Sequence, residues 1–367
     1  MSCKHRILSI FFITFLLIVS SVPLAHAVKY PDWVFQDFTS AYTLHKNDFE
    51  LTASWLTMNE TIDFLDVKES TIGNSNLFTA SLGDYSGAKF LINYGLTDRL
   101  MLNGFYQKAK LDSTLGSSST FKDIDSTQSI DTTTFKAGLR FKLMPEKRRT
   151  PAVSLELSYR RNNSDDAGFT FSELNSSSFP VPNGNNSLML RDLSDSGYSF
   201  NLIASKNLEP FVHTVFAGFG SYSSDSSLNL LIDSNTMKAD LTQKFEMDEN
   251  IYCLGYTLGL KFFERMPIFI SYKYLKTDID MQGSSKTLSG FIPDHYLNTE
   301  NMENISSNHI ISGKLVYWIT PHVNLTLDGT IYKNHFLGIV PHYNNALTNK
   351  FFDYKYGYIG LGVGVAF

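Results

Sequence analysis

The sequence predicts an all-β fold, a transmembrane antiparallel β-barrel of about 12 strands, and three observations lead there. After residue 45, apolar and polar residues alternate in stretches of about ten, enough tilted residues to cross a hydrocarbon layer. The connections between stretches alternate between short and long. The apolar rows hold no Lys, Arg, Asp or Glu, whereas the rows between them do.

The chain opens with Lys4, His5 and Arg6, an apolar run from Ile7 to Val19, then Pro23 and Ala25-His26-Ala27. A basic start, a short apolar stretch and small residues at a cleavage point read as a secretory signal peptide over residues 1–27. Its loss takes the formal charge from −5 to −7, so nucleic acid is not an expected partner. Cys3 leaves with it, and Cys253 alone forms no internal disulfide. Residues 28–45, with Tyr30, Trp33, Val34, Phe35 and Phe38, are an N-terminal periplasmic segment or a short plug. The barrel is expected over 46–367.

Phe49, Leu51, Ala53 and Trp55 alternate with Glu50, Thr52 and Ser54 in the first strand, near 48–57. Less regular stretches near 88–96 and 100–108 flank the turn Thr97-Asp98-Arg99. Phe135, Ala137, Leu139, Phe141 and Leu143 then alternate with Lys136, Gly138, Arg140 and Lys142. Val153, Leu155, Leu157 and Tyr159 alternate with Ser154, Glu156, Ser158 and Arg160. Stretches follow near 198–206 and 211–222; in the second, Phe, Val and Gly occupy both rows and the faces stay undecided. Tyr252, Leu254, Tyr256, Leu258, Leu260 and Phe262 oppose Cys253, Gly255, Thr257, Gly259 and Lys261. Stretches near 268–276 and 309–319 precede Val323, Leu325, Leu327 and Ile331, which alternate with Asn324, Thr326, Asp328 and Thr330. Long connections are expected near 59–86, 111–131, 163–194, 223–248, 279–306 and 334–351. They are rich in Ser, Asn and Asp.

A soluble β-sandwich also alternates apolar with polar residues, but it has no reason to keep Lys136, Arg140 and Glu156 on one face and no charge on the other. Lipid gives that reason, because a lysine or arginine near the bilayer midplane costs about 2–4 kcal/mol. Tyr94, Tyr106, Tyr159, Tyr272, Tyr274 and Tyr332 fall towards strand ends, the depth of lipid headgroups. In hydrocarbon every backbone N–H and C=O needs a partner, so the first strand is expected to pair with the last, near 353–367.

The last stretch, Tyr354 to Phe367, has Ile359, Leu361, Val363 and Val365 at alternate positions and ends in Phe. It resembles the closing strand of Gram-negative outer-membrane β-barrels. That resemblance implies the outer membrane as the location, short periplasmic turns with long extracellular loops, and Phe367 as a signal to the barrel-assembly machinery. Tyr94-Gly-Leu-Thr-Asp-Arg-Leu100 is similar to the strand-turn-strand segment of solute-porin and aromatic-degradation-pathway barrels.

The inner rows carry Lys89, Lys136, Arg140, Lys142, Arg160, Lys261, Lys273 and Lys314 against Glu50, Glu156 and Asp328. Cations lining a low-dielectric wall attract anions. The expected function is passive passage of small polar solutes with a mild anion bias. One alternative is a transporter of hydrophobic compounds, needing a plug and an apolar path; Gly360, Gly362 and Gly364 leave room beside the last strand for such a path. Another is a surface-interaction barrel whose acidic loops bind a partner. No catalysis, cofactor or metal is expected. Asp165-Asp166 and Asp294-His295 lie in different loops, and His295, His309, His335 and His342 lack ligand spacing.

Overall fold

The computed structural model describes residues 39–59, 80–115, 121–123, 127–174, 181, 183–263, 265–282, 307–333 and 355–367. The expected signal peptide, residues 28–38, His295, His335 and His342 lie outside them. No helix among the described residues is long and apolar enough to cross a membrane.

The wall consists of β1 (Phe49–Met58), β2 (Ala80–Thr97), β3 (Leu100–Leu115), β5 (Thr127–Met144), β6 (Ala152–Ser164) and β9 (Asn186–Leu208). It continues through β10 (Phe211–Asp233), β11 (Lys238–Leu260), β12 (Ile268–Gln282), β13 (Ser307–Trp318), β14 (Val323–Lys333) and β15 (Lys355–Ala366). Three short strands stand outside the ring. β4 (Phe121–Lys122) pairs with β8 (Glu173–Leu174), and β7 (Ala167–Phe171) adds to the outer end of β9.

Each wall strand pairs antiparallel with its neighbours, and β1 closes on β15 with Leu51 opposite Val365 and Trp55 opposite Leu361. Phe49 N–H donates to the Phe367 carbonyl at 2.8 Å, and Phe367 N–H donates back at 2.9 Å. The sheet therefore closes with 12 strands and leaves no edge in the lipid.

The two rows face as the alternation requires. Trp55 is 62% exposed on the outer wall, whereas Glu50, Thr52 and Ser54 between the apolar positions are buried inside. The same division holds for Leu157 against Glu156, and for Leu325 and Leu327 against Asn324, Thr326 and Asp328. In the undecided stretch, Val215 faces out while Val212, Thr214 and Phe216 face in.

Strand length departs from expectation. The three strands β9, β10 and β11 each run 23 residues, more than twice what a crossing needs, so residues 186–194, 223–233 and 238–248, expected in long connections, are sheet. Above the lipid, neither face has to be apolar, and Ser221, Ser223, Ser224 and Asp225 erase the pattern that marks a strand in the sequence. The β10–β11 ladder is paired without a break up to the turn at Ser234, where Ser234 N–H donates to the Met237 carbonyl at 2.9 Å. Leu188, Leu228, Leu230 and Ile232 are buried in this projecting sheet.

Candidate functional site: the lumen and its periplasmic mouth

Alternation sends half of every wall strand into one enclosed space, and the charges that land there are mostly paired. On β6, Glu156 accepts hydrogen bonds from Arg140 Nη2 at 2.6 Å, from Arg140 Nε at 3.1 Å and from Lys136 Nζ at 3.0 Å. On β14, Asp328 accepts from Lys89 Nζ at 2.5 Å and stands opposite Lys314 in the ladder. Lys89 reaches Asp328 across β1 and β15. Gly360 permits this, since a Cβ there would meet Asp328 Oδ1 at 2.6 Å. On β6, the Arg160 guanidinium lies 4.0 Å from the centre of the Tyr222 ring and 3.4 Å from Asp195 Oδ1.

Asp195 and Glu249, which alternation did not assign to a strand, are both buried carboxylates. The cation surplus inside is thus smaller than the sequence suggests. Of the expected lining residues, Lys89, Lys136, Arg140, Arg160 and Lys314 belong to these clusters. Lys142 and Lys261 sit at the periplasmic rim, not along the path: Lys142 Nζ donates to the Asp98 carbonyl at 2.9 Å, and Lys261 follows the end of β11. Lys273 points inward with its Nζ 5.9 Å from the Phe216 ring, and no carboxylate lies within ion-pair distance of it among the described residues.

The space beside Gly360, Gly362 and Gly364 is occupied. A Cβ at Gly362 would meet Ser54 Oγ and Thr326 Oγ1, and one at Gly364 would meet Asn324. Ser54 Oγ, Thr326 Oγ1 and Asn324 Oδ1 are buried yet have no hydrogen-bond partner among the described residues. They stand on β1 and β14, on either side of the glycines of β15.

Residues 39–45 cross the periplasmic mouth. Ala41 N–H donates to Ser205 Oγ at 2.8 Å, and Ser154 Oγ donates to the Ala41 carbonyl. Tyr42 packs against two apolar clusters on the inner wall, one holding Val212, Phe269, Val316 and Trp318, the other Ala152, Ile203 and Phe216. These clusters lie on the inner row, so the lower lumen is more apolar than the sequence suggests. The Tyr42 hydroxyl donates to Glu146 Oε2 at 2.6 Å, and Lys46 N–H donates to Asp98 Oδ1 at 3.0 Å.

Two carboxylates in the turns below the barrel therefore hold this segment. Partial burial pushes the Glu146 carboxyl up, but hydrogen bonds from Tyr42, Lys206 and the Asn207 N–H, with the Lys206 charge, outweigh it and leave it below its ordinary value. The Lys46 N–H lowers Asp98, with further help from His45 and Lys142. Depressed carboxylates stabilise the contact above their free value and lose it as pH falls through the lowered one. The protection factors of the Ala41–Lys46 amides, that is exchange corrected for its intrinsic pH dependence, are accordingly expected to hold from pH 7 to about 5 and to fall below about 4, where free carboxylates protonate. Glu146→Gln should flatten that dependence; an unchanged acid transition in the variant counts against the contact.

At the outer end, Asp165, Asp166 and Asp192 line an open hollow with Ser129, Asn163 and Ser164. Among the described residues, no group of three His, Cys, Asp or Glu is placed to hold a metal. Phe367 stacks on His322 with centroids 5.4 Å apart and is 66% exposed.

No protein-family model matches the sequence, and neither does any curated protein. Solved structures do match in shape. The translocator domain of the autotransporter NalP from Neisseria meningitidis is 8% identical, covers 88% of this chain and 90% of its own, and gives a TM-score of 0.51. A deletion mutant of TodX, a monoaromatic hydrocarbon channel, is 10% identical over 89% and 91% of the two chains, with a TM-score of 0.46. The Ralstonia pickettii toluene transporter TbuX is 8% identical over 88% and 90%, with a TM-score of 0.42. At such identities the likeness shows the fold alone, which is that of an outer-membrane β-barrel.

Proposed function

From an outer-membrane β-barrel as the premise, we propose that the protein passes small polar solutes passively, with a mild anion bias and a periplasmic mouth restricted by residues 39–45. The observation that carries this reading is the inward row itself, polar along Glu50, Thr52 and Ser54 and along Asn324, Thr326 and Asp328, with Lys136 and Lys273 left partly exposed on it. A cation that keeps exposed area inside a closed wall needs water beside it. Lys273, without an ion-pair partner among the described residues, supplies the bias together with Lys136, whose side chain is 34% exposed despite its bond to Glu156. The reading includes removal of residues 1–27 on export, residues 28–45 as a short plug, recognition of Phe367 by the assembly machinery and no covalent chemistry.

Planar-bilayer recordings and liposome swelling with small polyols test it. The protein is expected to admit polyols and to give a reversal potential on the anion side, moved to the cation side by Lys273→Glu. Tyr42→Ala is expected to raise conductance severalfold by loosening the segment at the mouth. A barrel that inserts but neither conducts nor swells liposomes overturns the proposal.

The apolar clusters beneath Tyr42 favour a second reading, transport of hydrophobic compounds past a displaced N-terminal segment. Uptake of a small aromatic solute into proteoliposomes, without swelling in polyols, distinguishes it from the first.

A further inference from the structure

We propose that the outer wall carries a binding site for the phosphate groups of a phosphorylated glycolipid, the lipopolysaccharide of the outer leaflet, formed by Lys108, Lys110 and Arg161. The outward row is free of charge across the lipid, and then three cations follow on β3 and β6, on either side of β5. Their depth is set by aromatic neighbours. Phe90, Tyr106 and Phe135 are successive ladder partners on β2, β3 and β5, all exposed on the outer face. Exposed aromatics at one level mark the boundary between hydrocarbon and headgroups. Arg161 is the ladder partner of Phe135, at that boundary. Lys108 and Lys110 lie two and four residues beyond Tyr106 on β3, and are exposed. By strand rise and tilt, all three lie within about 10 Å of the belt.

Charge and reach select the ligand. Strand spacing and rise put the Cα atoms of Lys108 and Arg161 about 12 Å apart, a span that two long side chains close on one phosphate. Two carboxylates share this face and leave the cations in excess: Asp131 Oδ2 lies 3.7 Å from Lys108 Nζ, both side chains well exposed, and Asp112, two residues beyond Lys110, accepts from Ser129 Oγ at 2.8 Å. Among the described residues, Arg161 Nε donates to Asn163 Oδ1 alone, at 3.3 Å. Guanidinium and ammonium groups on a wall that meets lipid suit phosphate carried by a lipid, and Arg offers it paired donors. On the far wall the belt recurs as Tyr252, Tyr272 and Tyr274, but there Lys276 stands next to exposed Asp278, so its charge is offset.

The test titrates the full barrel in detergent micelles with lipopolysaccharide and with the same lipid after phosphatase treatment. Wild type is expected to prefer the phosphorylated form, and K108Q/K110Q/R161Q to weaken that binding on the order of 100-fold while leaving the dephosphorylated form unchanged. Heat-dependent gel mobility reports whether the variant is folded. Should it not be, the wild-type preference is followed against salt, and it must decline as salt rises. The site is excluded by equal binding of the two lipids, by a preference that survives the triple substitution or high salt, or by an equal loss in K276Q. Competition by inorganic phosphate at concentrations matching the lipid also excludes a lipid site.

Discussion

Replacing Glu156 with leucine is expected to destabilise the folded barrel by about 3–5 kcal/mol, read as a lower urea midpoint for the compact, heat-modifiable form in micelles. The reason is the company that this carboxylate keeps. Its two oxygens accept three hydrogen bonds from Arg140 and Lys136, and Arg140 is only 4% exposed. Without the carboxylate, the buried Arg140 guanidinium stands uncompensated beside the Lys136 ammonium. Glu156→Gln keeps the shape and loses the charge, so it should fall between wild type and leucine. Adding Arg140→Leu to Glu156→Leu should recover part of the loss, because the uncompensated charge is then gone. Two single losses that simply add would mean that the groups act independently.

Leu361→Arg is expected to cost about 2–4 kcal/mol, measured in the same way. Leu361 is halfway along β15, 53% exposed on the outer face, with Trp55 and Leu327 as its ladder partners. An arginine at that depth can only bend towards a distant headgroup or draw water into the lipid. The same change at Tyr198 should cost about 0–1 kcal/mol, since Tyr198 belongs to the interfacial belt, its ring tilted against that of Tyr159 with centroids 5.2 Å apart. Equal costs at the two positions would remove lipid as the solvent of the outer wall.

The parts of the fold legible in the sequence are those that touch hydrocarbon. Trp55, Leu157, Leu325 and Leu327 have polar neighbours on either side because their strands separate oil from a polar interior, and the pairing of β1 with β15 follows from the need to leave no edge. Where the lipid ends, the rule ends. The upper halves of β9, β10 and β11 meet water on one face and protein on the other, so serines suit both rows and the segments read as loops. The same blindness hid Asp195 and Glu249, and with them part of the charge balance of the interior. At 211–222 the difficulty is different. Val212 and Phe216 face inward to pack under Tyr42 while Val215 faces lipid, and two apolar surroundings leave no contrast to read.

The unbroken β10–β11 ladder also bears on what lies outside the cell. At about 3.4 Å per residue, a ladder of 23 pairs carries its turn tens of ångströms clear of the bilayer, while the hydrogen bonds beneath hold it upright. The stretch around Asn235 and Thr236 is therefore a mast head: an antibody or phage meets it before it meets the wall, and a foreign peptide spliced in there would be presented to the medium without a single rung of the barrel being disturbed.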